Sequence, residues 1–154
     1  MATMATKILQ WNANSLNSLK SATEFKNFVS ANKPDVICIQ ETHLKPHQNY
    51  YLPGYNVERR DRLDKRMGGV AIMIKSGLSY SINDSSSNIE ALTVQVLLKG
   101  RRLTIVNMYV PPNSEFIAEE YKDLISKPNS LIVGDMNAYS PLWGQTKRIK
   151  EVRR

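Results

Sequence analysis

Three short and nearly continuous apolar runs constrain the fold of this chain more than any other feature. They cover Asp35 to Glu41, Val70 to Ile74 and Leu131 to Gly134, and Val and Ile are prominent in them. Such runs are too short for a buried helix and are typical of strands buried on both faces. We therefore expect a sheet whose central strands are covered on both sides.

Further strands are predicted around these runs. Lys7 to Trp11 is predicted to form a first strand and Ser79 to Ile82 a short one. Ala91 to Leu98 and Leu103 to Tyr109 flank Lys99-Gly100-Arg101, and this arrangement is typical of a hairpin. An α/β pattern with hairpin-linked strands favours a mixed sheet with helices on a face over a strictly parallel sheet.

Two helices are predicted. The first covers Ser21 to Ala31, where Ser21 and Glu24 have the spacing of a capping box. The second covers about Ser114 to Ile125, because Pro111-Pro112-Asn113 breaks the chain and caps the next segment. The apolar faces consist of Ala22, Phe25, Phe28 and Val29 in the first helix and Phe116, Ile117, Tyr121, Leu124 and Ile125 in the second.

The segment from Thr42 to Arg66 is predicted to be rich in loops. It contains Pro46, Pro53-Gly54 and the charged stretch Glu58 to Arg66. The interleaved acidic residues make a solvated loop at least as good an interpretation of that stretch as a surface for the DNA backbone. The basic residues in question are Arg59, Arg60, Arg62, Lys65 and Arg66.

Length, charge and cysteine content narrow the class of protein. The 154 residues suit one domain, and no apolar run reaches the length of a membrane span. Of the net charge of +7, the tail Lys147–Arg154 carries +4, which leaves a body of +3. A basic body suits a polyanionic partner, although a solvated basic surface explains it equally well. The single cysteine, Cys38, excludes an intrachain disulfide, is expected to be buried, and favours an intracellular protein.

Polar side chains stand where three of the predicted strands end. Asn12 ends the first strand, Glu41 follows the second, and Asp135 and Asn137 follow the last. A rigid strand fixes such a side chain while its end opens to solvent. Oxygen ligands of this type suit Mg²⁺, which can polarise a phosphodiester and stabilise its leaving oxygen.

Taken in order, five segments resemble successive motifs of the endonuclease/exonuclease/phosphatase family. The continuation Tyr139-Ser140-Pro141-Leu142-Trp143-Gly144 is similar to the apurinic-like endonuclease domains of insect-type (LINE/jockey-type) non-LTR retrotransposons. The resemblance extends from Lys7 to Gly144. The five segments are Ile8-Leu9-Gln10-Trp11-Asn12-Ala13-Asn14, Ile39-Gln40-Glu41-Thr42-His43, Gly68-Gly69-Val70-Ala71-Ile72, Asn107-Met108-Tyr109-Val110-Pro111-Pro112 and Gly134-Asp135-Met136-Asn137-Ala138.

The resemblance implies a fold and an activity. The fold is the amino-terminal part of the two-sheet α/β sandwich of this family, which is also called DNase I-like. The activity is Mg²⁺-dependent (or Mn²⁺-dependent) hydrolysis of a DNA strand, which leaves a 3′-hydroxyl to prime reverse transcription. A functional protein of this kind would act on DNA in the nucleus.

The resemblance also implies a metal site. Glu41, helped by Asn12, would hold the divalent ion, while Asn14 and His43 would support that site. The plain structural alternative is that Asn12 and Asn14 cap a turn.

Three further residues receive catalytic roles by the same resemblance. Asp135 would orient the attacking water or protonate the leaving oxygen, and Asn137 and Tyr109 would contact the scissile phosphate. Tyr109 could equally be an ordinary strand aromatic. The tryptophans, Trp11 and Trp143, are expected in the core and not as platforms for base stacking.

The later motifs of the family have no counterpart here. The family ends on a Ser-Asp-His motif, and His43 and His47 lie too early to match it. We therefore expect a flexible N-terminus over 1–6, a partial domain over 7–144 and a basic tail over 145–154, with impaired catalysis. Half a sandwich would also leave an apolar sheet face uncovered and cause self-association. The alternatives are an inactive fragment that binds nucleic acid and another phosphodiesterase or phosphatase of the family.

Overall fold

The computed structural model describes residues 5–63, 67–83, 89–112, 114 and 117–138. The predictions for Lys65, Arg66, Phe116 and residues 139–154, Trp143 among them, lie outside the described residues. In chain order the elements are β1 (Ile8–Asn12), α1 (Leu19–Asn32), β2 (Val36–Gln40), β3 (Tyr55–Arg60), β4 (Val70–Lys75), β5 (Tyr80–Ile82), β6 (Ala91–Leu98), β7 (Arg101–Tyr109), α2 (Ala118–Ile125) and β8 (Ser130–Asp135).

The strands form two mixed sheets of four strands each in the described part of the chain. The first sheet has the order β1-β2-β4-β3, in which β1 and β2 are parallel and the other pairs antiparallel. The second has the order β5-β6-β7-β8, in which only β7 and β8 are parallel. The predicted mixed α/β architecture and the predicted hairpin between β6 and β7 are therefore confirmed.

The two sheets pack face to face over an apolar core. Val36 and Ile72 of the first sheet meet Val94 and Ile105 of the second, and Cys38 is fully buried among them as predicted. This packing corrects the expectation of an uncovered sheet face. Both sheets form within the described residues, and their inner faces cover each other.

A helix covers part of the outer face of each sheet. Phe25 and Val29 of α1 pack on the first sheet, where Trp11 contacts Phe25 with ring centroids 6.2 Å apart. Trp11 thus lies in the core region that the sequence predicts for it. On the second sheet, Tyr121 and Leu124 of α2 are buried against β7. The helix periodicity therefore correctly predicts that Phe25 and Val29 of α1 and Tyr121 and Leu124 of α2 face the sheets.

The predicted helix starts are wrong in both cases. The first helix begins at Leu19, and the hydroxyl of Ser18 accepts from the backbone N–H of Ser21, so that Ser21 is inside the helix and is not its cap. The second helix begins at Ala118 without a side-chain cap. Ile117 and Ile125 are about half exposed, because a helix of two turns buries only its middle.

The third strand corrects the prediction of a loop over Thr42 to Arg66. Its residues Tyr55 to Arg60 pair with β4 over their full length. The charged side chains that suggest a loop have partners inside the protein, such as Glu58, which accepts from the hydroxyl of Tyr80 at 2.6 Å. Across the described ranges, no helix has the length and apolar character to cross a membrane.

Candidate active site at the strand ends

The carboxyl ends of β1, β2, β7 and β8 meet at one edge of the sandwich. Because each parallel pair directs its strand ends the same way, the side chains that follow them converge. The amide nitrogen of Asn12 donates to Glu41 Oε1 at 3.0 Å and to Asp135 Oδ2 at 2.9 Å. One amide from the first sheet therefore joins two carboxylates, one on each sheet.

The orientation of the Asn12 amide is fixed from its other end. Its oxygen accepts from the backbone N–H of Asn14 at 3.1 Å, in a tight turn in which Asn14 has φ +42°. The nitrogen consequently faces the carboxylates. The turn that the plain structural interpretation predicts for Asn12 and Asn14 is therefore present. The same turn places the Asn12 amide between the two carboxylates.

Glu41 has a strained backbone and crowded surroundings. Its φ is +53°, a value that non-glycine residues seldom adopt and that is found preferentially at functional sites. Its Oε2 lies 3.5 Å from His43 Nε2. That nitrogen is buried and makes no hydrogen bond within the described residues. His43 therefore stands beside Glu41, as the family motif implies.

Tyr109 closes the cluster from β7. Burial, the charge of Glu41 and a hydrogen bond with Glu41 raise the pKa of the Tyr109 hydroxyl to about 12, while Arg62 opposes the shift. The phenol therefore stays protonated at neutral pH and keeps a proton to donate. The Arg62 guanidinium lies 5.6 Å from the centre of the Tyr109 ring, within the range of a cation–π contact.

Asp135 and Asn137 form a compact turn after β8. Asp135 Oδ1 accepts from the backbone N–H of Asn137 at 3.1 Å. The side-chain amide of Asn137 donates to the carbonyl of Val110 at 2.9 Å, and the N–H of Val110 donates to the carbonyl of Asp135 at 2.9 Å. These bonds tie the end of β8 to the end of β7, so the position of Asp135 is fixed from two sides.

Glu90 is a residue of this region that the sequence reasoning missed. Its Oε2 lies 2.6 Å from two nitrogens of Arg62, and its Oε1 accepts from the N–H of Gly69. Gly69 has φ +90°, and a Cβ there would clash with the Thr42 hydroxyl. Glu90 thus holds both Arg62 and the glycine turn against the site. The Gly68-Gly69 pair gives a hint of a tight turn, but no local signal identifies its partner.

The two other candidate arginines of β3 have different surroundings. Arg59 donates to the carbonyls of Lys45, Pro46 and Gln48, and its Nε lies 3.2 Å from Asp61. Arg60 donates to the carbonyl of Ala91 at 3.3 Å. Of these three arginines, Arg62 is the one at the candidate site, while Arg59 is engaged in holding the loop that follows β2.

The donor set fits a hard divalent cation. Glu41 and Asp135 each lie within 3.0 Å of the same amide nitrogen, so two like charges are close together and a cation would relieve their repulsion. No group of three or more His, Cys, Asp or Glu arranged for a metal occurs in the described part of the chain. Mg²⁺ requires no such cage, since one or two carboxylates with water and phosphate oxygens are its usual ligands.

Two mixed sheets packed face to face, with carboxylates and a tyrosine at one edge, define the class of protein. The chain belongs to the endonuclease/exonuclease/phosphatase family, whose model matches residues 9–148. The resemblance that the motifs indicate is thereby confirmed.

Two of the proteins that this chain is similar to come from mobile elements. The RNA-directed DNA polymerase from mobile element jockey of Drosophila melanogaster is 30% identical over 146 residues, a match that covers 92% of this chain and 16% of that protein. The endonuclease domain of TRAS1, a telomere-specific non-LTR retrotransposon, has a similar fold at a TM-score of 0.71 and 20% identity. That match covers 90% of this chain and 64% of that domain.

A further similar structure is the AP endonuclease LMAP from Leishmania major. It is 25% identical with a TM-score of 0.58, and the match covers 71% of this chain and 41% of that endonuclease. The chain thus spans less than two thirds of each of these relatives.

Proposed function

We propose that this chain carries a metal-dependent phosphodiesterase site that nicks DNA in the manner of a retrotransposon endonuclease. The observation that carries the proposal is the Asn12 amide, which joins Glu41 to Asp135 although Asp135 lies 123 positions after Asn12 in the sequence. Membership of the family and similarity to the jockey polymerase support the same activity. Since the chain spans 16% of that relative, the activity assigned here is that of the domain alone.

Glu41, with Asn12 beside it, would hold Mg²⁺ or Mn²⁺. When bound, such an ion polarises the phosphodiester and stabilises the charge on the leaving oxygen. His43, next to Glu41 Oε2, and the turn at Asn14 keep the carboxylate and the amide in place. The chain thereby supplies a pre-organised carboxylate ligand, which reduces the reorganisation that binding requires. The Asn12 oxygen is bonded to the N–H of Asn14, so Asn12 would help by positioning Glu41 through its amide nitrogen.

The remaining residues act on the phosphate and the water. Asp135 would orient the attacking water or give a proton to the leaving oxygen. Tyr109, which remains a phenol because its pKa is about 12, can donate to a phosphate oxygen. Asn137, whose amide donates to the carbonyl of Val110 directly after Tyr109, would contact the same phosphate. Arg62 adds a positive charge beside the Tyr109 ring. Each role uses a group that the strand ends present on the same side of the sandwich.

The proposed substrate is DNA, and the proposed place of action is therefore the nucleus. The net charge of +7 favours association with a polyanion, since binding releases counterions. Arg62 lies beside the cluster, and we propose it as a contact for the DNA backbone close to the cleaved bond.

The test is nicking of supercoiled plasmid by the purified chain in Mg²⁺, with and without chelator. Glu41→Ala and Asp135→Ala are each expected to lower the rate by about a hundredfold or more, the usual scale for removing a catalytic group. Glu119→Ala is the matched control, because this carboxylate is 82% exposed on α2 and should leave the rate unchanged. The nicks should carry a 3′-hydroxyl that a DNA polymerase extends.

Other outcomes separate the alternatives. A folded chain that binds DNA in chelator but never nicks it would be an inactive nucleic-acid-binding protein. A chain that cleaves only abasic DNA, or removes a phosphate from another substrate, would be a different phosphodiesterase or phosphatase of the family. Nicking that survives both carboxylate substitutions would rule out the proposed site.

A further inference from the structure

Directly below the reactive cluster, the apolar interface between the sheets is interrupted by a layer of amides. Gln10 on β1, Gln40 on β2 and Asn107 on β7 form this layer, which we call the amide layer, and Gln10 is its exposed end at the edge strand β1. Gln40 and Asn107 are completely buried. Buried amides are costly unless every polar atom has a partner, so such a layer in a core requires an explanation.

The amide layer is fully bonded at its centre. The Asn107 nitrogen donates to the carbonyls of Ile39 on β2 and Ala71 on β4, both at 2.9 Å. Its oxygen accepts from Gln40 Nε2 at 2.5 Å, and Gln40 Oε1 accepts from Gln10 Nε2 at 2.5 Å. A side chain of the second sheet is therefore bonded to backbone of two strands of the first sheet.

The layer lies one step from the residues proposed for catalysis. Side chains two positions apart on a strand share a face, so Asn107 precedes Tyr109 and Gln10 precedes Asn12 on the inner faces. Gln40 is the chain neighbour of Glu41. The reactive groups come from both sheets, and the amide layer is the polar link between the sheets immediately beneath them.

We propose that Asn107, together with Gln40 and Gln10, is a positioning device that sets the register of one sheet on the other. Apolar packing alone is non-directional and tolerates sliding, whereas hydrogen bonds fix distance and direction. The Asn107 bonds hold β7 at a defined height over β2 and β4, and so bring Asp135 and Tyr109 within reach of Asn12 and Glu41. The inference rests on the proposed function for its link to catalysis, but the geometry is testable without it.

The test compares three variants with the native chain. Asn107→Leu removes the link between the sheets. Gln10→Ala removes one end of the amide layer, and this variant is included because it should still fold if Asn107→Leu does not. Ile105→Val is the matched control. It trims the same strand and the same inner face two residues away, and leaves every amide in place.

The first readout does not depend on activity. The carboxamide protons of Asn12 are bonded to both carboxylates, so their NMR signals report the meeting of the two sheets. We expect these signals to shift and to exchange faster with water in Asn107→Leu and Gln10→Ala, and to stay unchanged in Ile105→Val. Signals that stay unchanged in both amide variants would overturn the proposal. If Gln10→Ala folds and Asn107→Leu does not, the Asn12 carboxamide signals of Gln10→Ala alone decide whether the proposal stands.

The second readout is the nicking reaction. A misplacement of reacting groups by about 1 Å costs about a hundredfold in rate, so kcat should fall by that order in Asn107→Leu while KM for the plasmid stays the same. An equal loss of kcat in Ile105→Val would mean general destabilisation and would overturn the positioning role. If the native chain does not nick DNA, the proposed function fails, whereas the Asn12 signals still decide the role of the amide layer.

Discussion

At the scale of single residues, three members of the candidate site have a strained backbone. Glu41, His43 and Asn137 have φ values of +53°, +55° and +44°, in the left-handed region that side chains with a Cβ seldom occupy. Each such residue costs about 1 kcal/mol or more unless its surroundings compensate. The hydrogen bonds of Asn137 to β7 and of the His43 N–H to Gly68 provide that compensation.

The buried thiol of Cys38 gives a prediction at this scale. Burial raises its pKa to about 12, and the residue has no exposed surface. Because the thiolate is the reactive form, we expect a disulfide reagent at pH 8 to leave the folded chain unlabelled and to label it fully in guanidinium. Because the pKa of the Cys38 thiol is higher in the folded than in the unfolded chain, its contribution to the free energy of unfolding is fully present below the pKa of the unfolded chain. That contribution is lost as the pH rises towards 12. Rapid labelling of native protein at pH 8 would contradict the packing described for β2.

At the scale of elements, the start of α1 gives a second prediction. The Ser18 hydroxyl caps this helix, whereas the sequence pattern indicates Ser21. We expect Ser18→Ala to lower the free energy of unfolding by about 1 kcal/mol, the usual cost of a lost N-cap.

Ser21→Ala is the matched control for the cap. Ser21 lies inside the helix, where alanine has the higher helix propensity, so this change should be neutral or slightly stabilising. Urea unfolding of the two variants decides between the two caps. A larger loss in Ser21→Ala than in Ser18→Ala would restore the capping box that the sequence suggests.

The strand β3 is an element that the local sequence pattern does not predict. Its residues Tyr55 to Arg60 are mostly polar and follow a Pro-Gly pair, which is typical of a loop. The strand forms because β4 offers a full antiparallel partner and because Tyr80 and Asp61 accommodate its charged side chains. The strand β4 and Tyr80 belong to other parts of the chain, so local periodicity does not report them, whereas Asp61 directly follows the strand.

At the scale of the whole molecule, the sandwich has open edges. In the described part of the chain, β1, β3, β5 and β8 each pair on one side only. A short edge or a charged edge discourages pairing with another chain, and β5 has only three residues while β3 carries Glu58, Arg59 and Arg60. Every residue of β8, in contrast, is partly exposed. Open edge strands offer unpaired backbone groups to other chains. We therefore retain the prediction that the isolated chain self-associates, and assign it to the β1 and β8 edges and not to a sheet face.

Light scattering and thermal unfolding over a wide range of protein concentration test this prediction. The apparent mass should rise with concentration, and so should the Tm, because association stabilises the folded state by mass action. Ile82→Lys places a charge on the opposite edge strand, β5, and should leave both trends unchanged. A monodisperse monomer with a sharp transition independent of concentration would contradict the prediction.

The sequence by itself determined the local pieces of this protein and their family. The apolar runs indicated the strands β2, β4 and β8, helix periodicity indicated the buried faces of α1 and α2, and the ordered motifs identified the family. The burial predicted for the last run is wrong, because β8 is an edge strand whose residues are all partly exposed. These features can be predicted from the sequence because burial on one face, or on both, produces a characteristic spacing of apolar residues along the chain.

Only the tertiary structure decided how the pieces meet. It brought Asn12 to Asp135 across 123 residues, placed Glu90 beneath Arg62, and set Asn107 against the backbone of the opposite sheet. A polar side chain has the same local sequence signature on a solvated rim, in an ion pair or in a buried layer. The role of such a side chain depends on the residues of other strands that contact it. The packing of the two sheets determines which residues these are.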